Sequence, residues 1–182
     1  MNHLPRLSIG IPVYNGANYL TELLDCFLKQ TFRDFEIVIS DNASTNRTAG
    51  ICLDYANRDE RIRYCQSERN IGDARHFNRV PELARAPYLR GNAQDDIIHP
   101  TYLDRCLETI EQGPEVVLCH SGVYFIAGHG SPLRFDVERL CFVDNQDGTL
   151  EVSSLESAIE ALEPIHLTKS KTSCLPNDVI RN

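Results

Sequence analysis

Short apolar, β-branched runs alternate along this chain with segments whose apolar residues recur every three or four positions. The first run, LSIGIPV (Leu7–Val13), stops at Tyr14-Asn15-Gly16 and reads as a buried strand. Tyr19, Leu20, Leu23, Leu24, Phe27 and Leu28 follow at helical spacing and form one apolar face. FEIVIS (Phe35–Ser40) predicts a second strand, ended by Asp41-Asn42. Ser44, Thr45 and Asn46 then offer N-cap oxygens to a helix running towards Asn57. RIRYCQS (Arg61–Ser67) predicts a third strand, and Asn70-Ile71-Gly72 turns into a helix from Asp73 to Arg85. Pro87-Tyr88-Leu89 opens a fourth strand leading to Asp95-Asp96. Pro100 suits the first position of a helix that reaches Glu111. EVVLCHS (Glu115–Ser121) predicts a fifth strand, and VYFIA the first arm of a hairpin.

Strand and helix in alternation argue for an α/β fold, a mainly parallel sheet with helices on both faces. In such sheets ligands sit at the carboxyl ends of the strands. Three polar clusters fall there: Tyr14-Asn15, Asp41-Asn42 and Asp95-Asp96. Beyond Leu133 the pattern weakens. DNQDGT (Asp144–Thr149) reads as a turn, SSLESAIEAL (Ser153–Leu162) as a short amphipathic helix, and Glu163–Asn182 shows no clear periodicity.

Composition narrows the chemistry. A net charge of −8 without a basic run argues against a nucleic-acid or anionic-membrane surface. An anionic ligand would therefore need local devices, such as helix N-termini or a bound cation. Seven cysteines without a CxxC, four of them (Cys26, Cys52, Cys106 and Cys119) among apolar residues, read as small buried thiols in a reducing compartment. No run is long enough to span a bilayer, and MNHLPRL lacks a signal peptide's apolar stretch. The dinucleotide and P-loop glycine patterns are absent, as are G-x-S-x-G and H-E-x-x-H. His120 and His129 have no zinc-like partners at ligand spacing, so His120 reads as a pocket-wall or core residue. Paired acids at a strand end also hold Mg2+ in receiver-like signalling domains. Those domains carry acids near the first strand, where this chain has Tyr14-Asn15.

IPVYNGANYLTELLDCFLKQTF, FEIVISDNASTNRT, ERNIGDARHFN and AQDDIIHPTYL, in that order, resemble the family 2 glycosyltransferases, which have a GT-A (Rossmann-like) fold. The resemblance spans residues 6–126. It implies a nucleotide-sugar (donor) core over residues 1–126 and an incomplete acceptor-side region with an irregular tail over 127–182, the fold cut short in its acceptor half. By similarity, Pro12, Val13 and Tyr14, with Asn15, wall the nucleoside. Asp41, beside Asn42, accepts from the ring N–H of a uracil- or thymine-like base, a charge-assisted bond. Asn70 and Gly72 resemble the N-x-G turn that approaches the nucleotide. Asn78 orients that loop, and Arg75 reaches a base or phosphate or else is a solvated helix residue. His76 reads as surface. Gln94-Asp95-Asp96 stands for the DxD element. Asp96 is the metal ligand, and Asp95 faces the ribose or sugar and backs the metal. Mg2+ or Mn2+ is the implied cofactor, suited to one or two carboxylates and a diphosphate. His99 reads as part of the turn rather than as a ligand.

The resemblance implies inverting, metal-dependent transfer from a nucleoside-diphosphate sugar, UDP- or TDP-sugar in preference, to a carbohydrate or lipid-linked acceptor. The implied setting is bacterial surface-polysaccharide synthesis in the cytoplasm, at the inner face of the plasma membrane, with peripheral membrane association. The alternative is a truncated or degenerate nucleotide-sugar binding module without transferase activity. Three departures from the family pattern bear on this choice. Pro81 should kink or stop the helix after the N-x-G turn. Arg90-Gly91-Asn92 replaces bulky apolar residues in the strand before the aspartates, which predicts a less rigidly mounted loop. The general base that inversion needs falls beyond the clear pattern, where Asp178 is the candidate and Asp144, Asp147 and Glu151 rank below it.

Overall fold

The computed structural model describes residues 3–114, 116–120, 123–126, 132–137, 140–144, 149–154, 167–168 and 179–181, with side chains as far as Cys119. Four parallel strands, in the order β3-β2-β1-β4, form its centre: β1 (Leu7–Val13), β2 (Phe35–Asp41), β3 (Ile62–Gln66) and β4 (Tyr88–Gly91). Between them run α1 (Leu20–Leu28), α2 (Thr48–Arg58) and α3 (Asp73–Leu83). Then α4 (Tyr102–Ile110) carries the chain from β4 to β5 (Val116–His120). Every residue of β1 and β2 is buried, as helices on both faces require of central parallel strands.

Register assigns the faces. Leu7, Ile9, Ile11 and Val13 lie beside Phe35, Ile37, Ile39 and Asp41. This face carries the main core, with Leu20, Leu24 and Phe27 of α1, Cys52 and Tyr55 of α2, and Leu103 and Ile110 of α4. Ser8, Gly10 and Pro12 point to the other face, which α3 covers. There Val80 presses onto Gly10 so closely that a Cβ at residue 10 would run into Val80 Cγ1. Cys52, Cys106 and Cys119 are buried thiols outside any disulfide, as expected, and Cys26 is half-buried. Burial pushes the Cys52 thiol up to about 12, so it stays neutral.

Pro81 sits in the last turn of α3, which ends at Leu83 rather than at Arg85. A polar cluster takes over where the helix stops. Glu36, buried in β2, accepts from Ser8 Oγ at 2.7 Å, from the Arg85 N–H at 2.9 Å and from Arg63 Nη1 at 2.7 Å. Ser8 Oγ in turn accepts from the Ala86 N–H at 3.0 Å. The backbone donors freed at the end of α3 are thus satisfied before β4 begins.

The C-terminal third adds antiparallel strands. β11 (Val179–Arg181) inserts between β4 and β5, so the tail without periodicity still supplies a strand to the sheet. Beyond β5 the sheet continues through β8 (Leu140–Asp144), β9 (Thr149–Ser154) and β10 (Leu167–Thr168). The expected hairpin arm is β6 (Val123–Ile126), paired antiparallel with β7 (Pro132–Val137). The expected reversal at Asp144–Thr149 joins β8 and β9, with residues 145–148 outside the described set. The helix expected from Ser153 is corrected at its start. Ser153 and Ser154 pair with Cys141 and Leu140 in β9, because an antiparallel neighbour claims their backbone groups; residues 155–162 lie outside the described set.

Candidate functional site

The carboxyl ends of β1, β2 and β3 are laced together by side chains of the loops that follow them. Asn15 holds a left-handed backbone, φ 54°. Its N–H donates to Ser44 Oγ at 2.9 Å, and its Oδ1 accepts from the Thr45 N–H at 2.9 Å. The serine and threonine expected to cap α2 therefore join two loops, and of the three expected cap residues Asn46, one residue before the N-cap Arg47, reaches the first turn, its Oδ1 accepting from the Thr48 N–H at 2.9 Å. Asp41 is wholly buried. Its Oδ1 accepts from the Ser44 N–H at 2.8 Å and its Oδ2 from the Tyr64 hydroxyl at 2.7 Å. Burial, then the bond to Asp41, raises the Tyr64 pKa, so the phenol remains a donor. Pro12 and Val13 are buried at the end of β1, while Tyr14 is exposed just beyond it.

Asn42 extends the lacing to the N-x-G turn. Its Nδ2 donates to Asn70 Oδ1 at 3.1 Å, and its Oδ1 accepts from the Ile71 N–H at 2.9 Å. Asn70 Oδ1 also accepts from the Gly72 N–H at 2.8 Å. Gly72, at φ 82°, supplies the left-handed step into α3. Beside this turn lies an open cleft whose lining includes Ser67, Arg69 and Arg79. Arg75 and Asn78 are exposed on α3. His76 is not a surface residue as expected. It is 3% exposed, with Nε2 3.0 Å from Ser40 Oγ, because the face of α3 that carries Val80 also turns residue 76 onto the sheet. Burial lowers its pKa.

The loop carrying Asp95 and Asp96 is fastened at both ends. At its start Asn92 is buried, and its N–H donates to Gly10 O at 2.9 Å, continuing the β1–β4 ladder. Its Nδ2 donates to Ala93 O at 2.7 Å, and its Oδ1 accepts from Arg90 Nη2 at 2.7 Å. At Arg90-Gly91-Asn92 polar bonding stands where the apolar packing is missing. At the far end, Cys26 Sγ of α1 donates to Ile98 O at 2.8 Å and accepts from the Ile98 N–H at 3.3 Å. Buried Gln30 donates to His99 O at 2.8 Å and accepts from the Leu103 N–H at 3.2 Å. His99 Nδ1 lies 3.0 Å from Thr101 Oγ1, so the imidazole serves the turn. Pro100 stands two residues before α4 rather than at its first position, and its carbonyl accepts from the Thr31 N–H at 2.9 Å.

Gln94 joins this loop to the first one, its Oε1 accepting from the Tyr14 N–H at 3.3 Å. Asp95 is exposed and Asp96 half-buried, so the protein offers two neighbouring carboxylates at an accessible lip. Among the described residues no three His, Cys, Asp or Glu side chains gather into a metal cage. A pair of carboxylates fits a hard divalent ion that keeps waters and takes its other ligands from phosphate. Tyr64, Ser44, Thr45, Gln30 and Cys26 were not singled out as site-building residues in the sequence. Their roles depend on partners up to 73 residues away. Asp147, Asp178 and His129 lie outside the described residues, as do the side chains of His120, Asp144 and Glu151.

The family model described as glycosyl transferase family 2 matches residues 8–157, most of the chain. The chain belongs to glycosyltransferase family 2. An uncharacterized glycosyltransferase of Methanocaldococcus jannaschii is 31% identical over 132 residues, 71% of this chain and 46% of that protein. Chondroitin synthase of Escherichia coli is 31% identical over 108 residues, 59% of this chain and 16% of the synthase. This family 2 chain spans less than half the length of both. In fold it resembles S. aureus TarS in complex with UDP, with a TM-score of 0.67 at 24% identity over 97% of this chain and 46% of that one. A mannosyltransferase from Pyrobaculum calidifontis in complex with GDP-Man and Mn2+ gives a TM-score of 0.60 at 22% identity, over 68% of this chain and 37% of that one. The fold is therefore the α/β GT-A type expected. Among the described residues no helix is long and apolar enough to cross a membrane.

Proposed function

We propose that this family 2 chain binds a nucleoside-diphosphate sugar, UDP- or TDP-sugar in preference, together with Mg2+ or Mn2+. We propose further that it transfers the sugar to an acceptor hydroxyl with inversion, in surface-polysaccharide synthesis on the cytoplasmic side of the membrane. The observation that carries the reading is the convergence of three strand-end clusters on one rim, joined through Asn15–Ser44, Asn42–Asn70 and Tyr14–Gln94. The structures of relatives with UDP and with GDP-Man and Mn2+ support the ligand class, and the similarity to chondroitin synthase supports the polysaccharide setting.

In this reading Pro12, Val13 and Tyr14 wall the base. Each oxygen of Asp41 has spent one lone pair on Ser44 or Tyr64 and keeps another for a base N–H. Because Asp41 is wholly buried, the base reaches it when the half-buried Tyr64 turns aside. The Asn70–Gly72 turn brings backbone close to the nucleotide, Asn78 orients it from α3, and Arg75 reaches a phosphate. Asp96 and Asp95 hold the cation, which neutralises charge gathering on the leaving diphosphate.

Thermal-shift titration with UDP, TDP and GDP, with and without Mn2+, tests the reading. Nucleotide should raise the melting temperature in a metal-dependent way, and Asp96→Ala should remove the metal dependence. No response to any nucleotide would refute it. Binding without release of nucleoside diphosphate in the presence of carbohydrate and lipid-linked acceptors would leave a binding module in its place.

A further inference from the structure

Arg90 is among the largest fully buried side chains described, with 1% of its surface exposed. Its register partner in β1 is Ile9, which places it on the core face of the sheet beneath α4. Its guanidinium stacks on the Tyr102 ring at 4.3 Å, and Nη2 donates to Asn92 Oδ1 at 2.7 Å. A cation in this layer loses its hydration, and a well-packed apolar residue is often neutral or stabilising in such a place. Packing alone therefore does not explain an arginine here, and its bond to Asn92 ties it to the start of the aspartate loop.

We propose that Arg90 is a positioning residue for the aspartate pair, acting through Asn92; this rests on the donor-site reading of Asp95 and Asp96. Asn92 has its N–H on Gly10 O, its Nδ2 on Ala93 O and its Oδ1 on the guanidinium. Those three bonds set the direction in which the chain leaves β4, three residues before Asp95. The clamp of Cys26 on Ile98 fixes the other end, and Gln94 braces the segment between them against the Tyr14 N–H. Only the Asn92 anchor depends on a buried charge. Removing the guanidinium frees the Asn92 amide to turn and swings the near end of the loop, while the contacts around Asp41 stay as they are. The consequence falls on the carboxylates, because groups that orient metal ligands typically change metal affinity about 10–100-fold when lost.

Calorimetric titration of Mn2+ in saturating UDP, paired with titration of UDP in the absence of metal, tests this on the full chain. Arg90→Met keeps bulk over Tyr102 and removes the donor. It should weaken Mn2+ about tenfold while lowering metal-free UDP affinity by much less. Asn92→Ala should do the same, and the double variant should be no weaker than Asn92→Ala alone, since both act on one anchor. Arg90→Lys keeps the charge without the planar fork and should fall between wild type and Arg90→Met; it also serves where Arg90→Met does not fold. Unchanged Mn2+ affinity in the folded Arg90 variants, equal losses with and without metal, or additive losses in the double variant would each overturn the proposal. A wild-type chain without Mn2+-dependent UDP binding would overturn the donor-site reading itself.

Discussion

Asp41 and Asn42, at the end of β2, are wholly buried, whereas Asp95, across the same rim, is exposed and Asp96 half-buried. The first pair belongs to a wall in which each described side-chain oxygen accepts from a neighbour: Asp41 from Ser44 and Tyr64, Asn42 from Ile71. The second pair rides on a loop bonded at its ends, through Asn92 and Ile98. Such a wall is prebuilt except at Tyr64, whose turning gives a base access to Asp41. A loop with accessible carboxylates suits a charged group that arrives with its own ligands. The same residue type is thus enclosed on one lip and reachable on the other, and burial makes the difference.

The sharpest way to break this contrast is to remove a carboxylate from each side. Asp41→Ala leaves the Tyr64 hydroxyl and Ser44 N–H without their charged acceptor and should cost about 3 kcal/mol in urea unfolding. Asp95→Ala, at an exposed position, should cost less than about 0.5 kcal/mol in the same measurement. Equal losses at the two sites would erase the distinction between wall and lip.

A smaller effect is expected beneath both lips. Gly10→Ala drives a methyl group into Val80, a stiff β-branched side chain that cannot fold away, and should cost about 2 kcal/mol. Adding Val80→Ala should recover part of that loss in a double-mutant cycle. Because Gly10 O accepts from the Asn92 N–H, the single variant should also weaken Mn2+ binding, and unchanged binding would show that the loop tolerates the crowding.

The smallest effect concerns His76 behind the wall. Burial lowers its pKa from the usual value near 6.5, so the folded chain favours the neutral ring. The unfolded chain then binds the extra proton as pH falls below about 6.5, and stability should decline over that window and be fully present above it. His76→Gln should flatten the decline in denaturation midpoints taken from pH 7.5 down to about pH 5. A slope identical to wild type would assign the pH dependence to other groups.

Much of the central sheet was legible because its signals are local. Apolar, β-branched runs, helical spacing and cap residues placed β1 to β5 and α1 to α4, most of their ends within about two residues. Where ends moved, a tertiary hydrogen bond moved them: Glu36 and Ser8 stop α3 at Leu83, and the Cys26 and Gln30 contacts hold His99 and Pro100 outside α4. β11 carried no periodic signal. A three-residue strand inserted between β4 and β5 needs only backbone groups that pair with its neighbours. His76 was misplaced for a related reason, since a lone histidine on a polar helix turn reads as exposed until a close-packed sheet lies beneath it.

The order of the central strands and helices and the three polar clusters at strand ends follow from residue type and spacing along the chain. They depend on periodicity and turn chemistry, which act over a few residues and survive in one dimension. The state of each site group was decided only in three dimensions. Ser44 and Thr45 became lacing instead of caps because Asn15 met them, and Asp41 became inaccessible because Tyr64 lies one strand away. Arg90, standing where the family has a bulky apolar residue, is buried because Tyr102 and Asn92 enclose it. Hydrogen bonds and desolvation depend on which distant segments share a layer, and the fold alone brings those segments together.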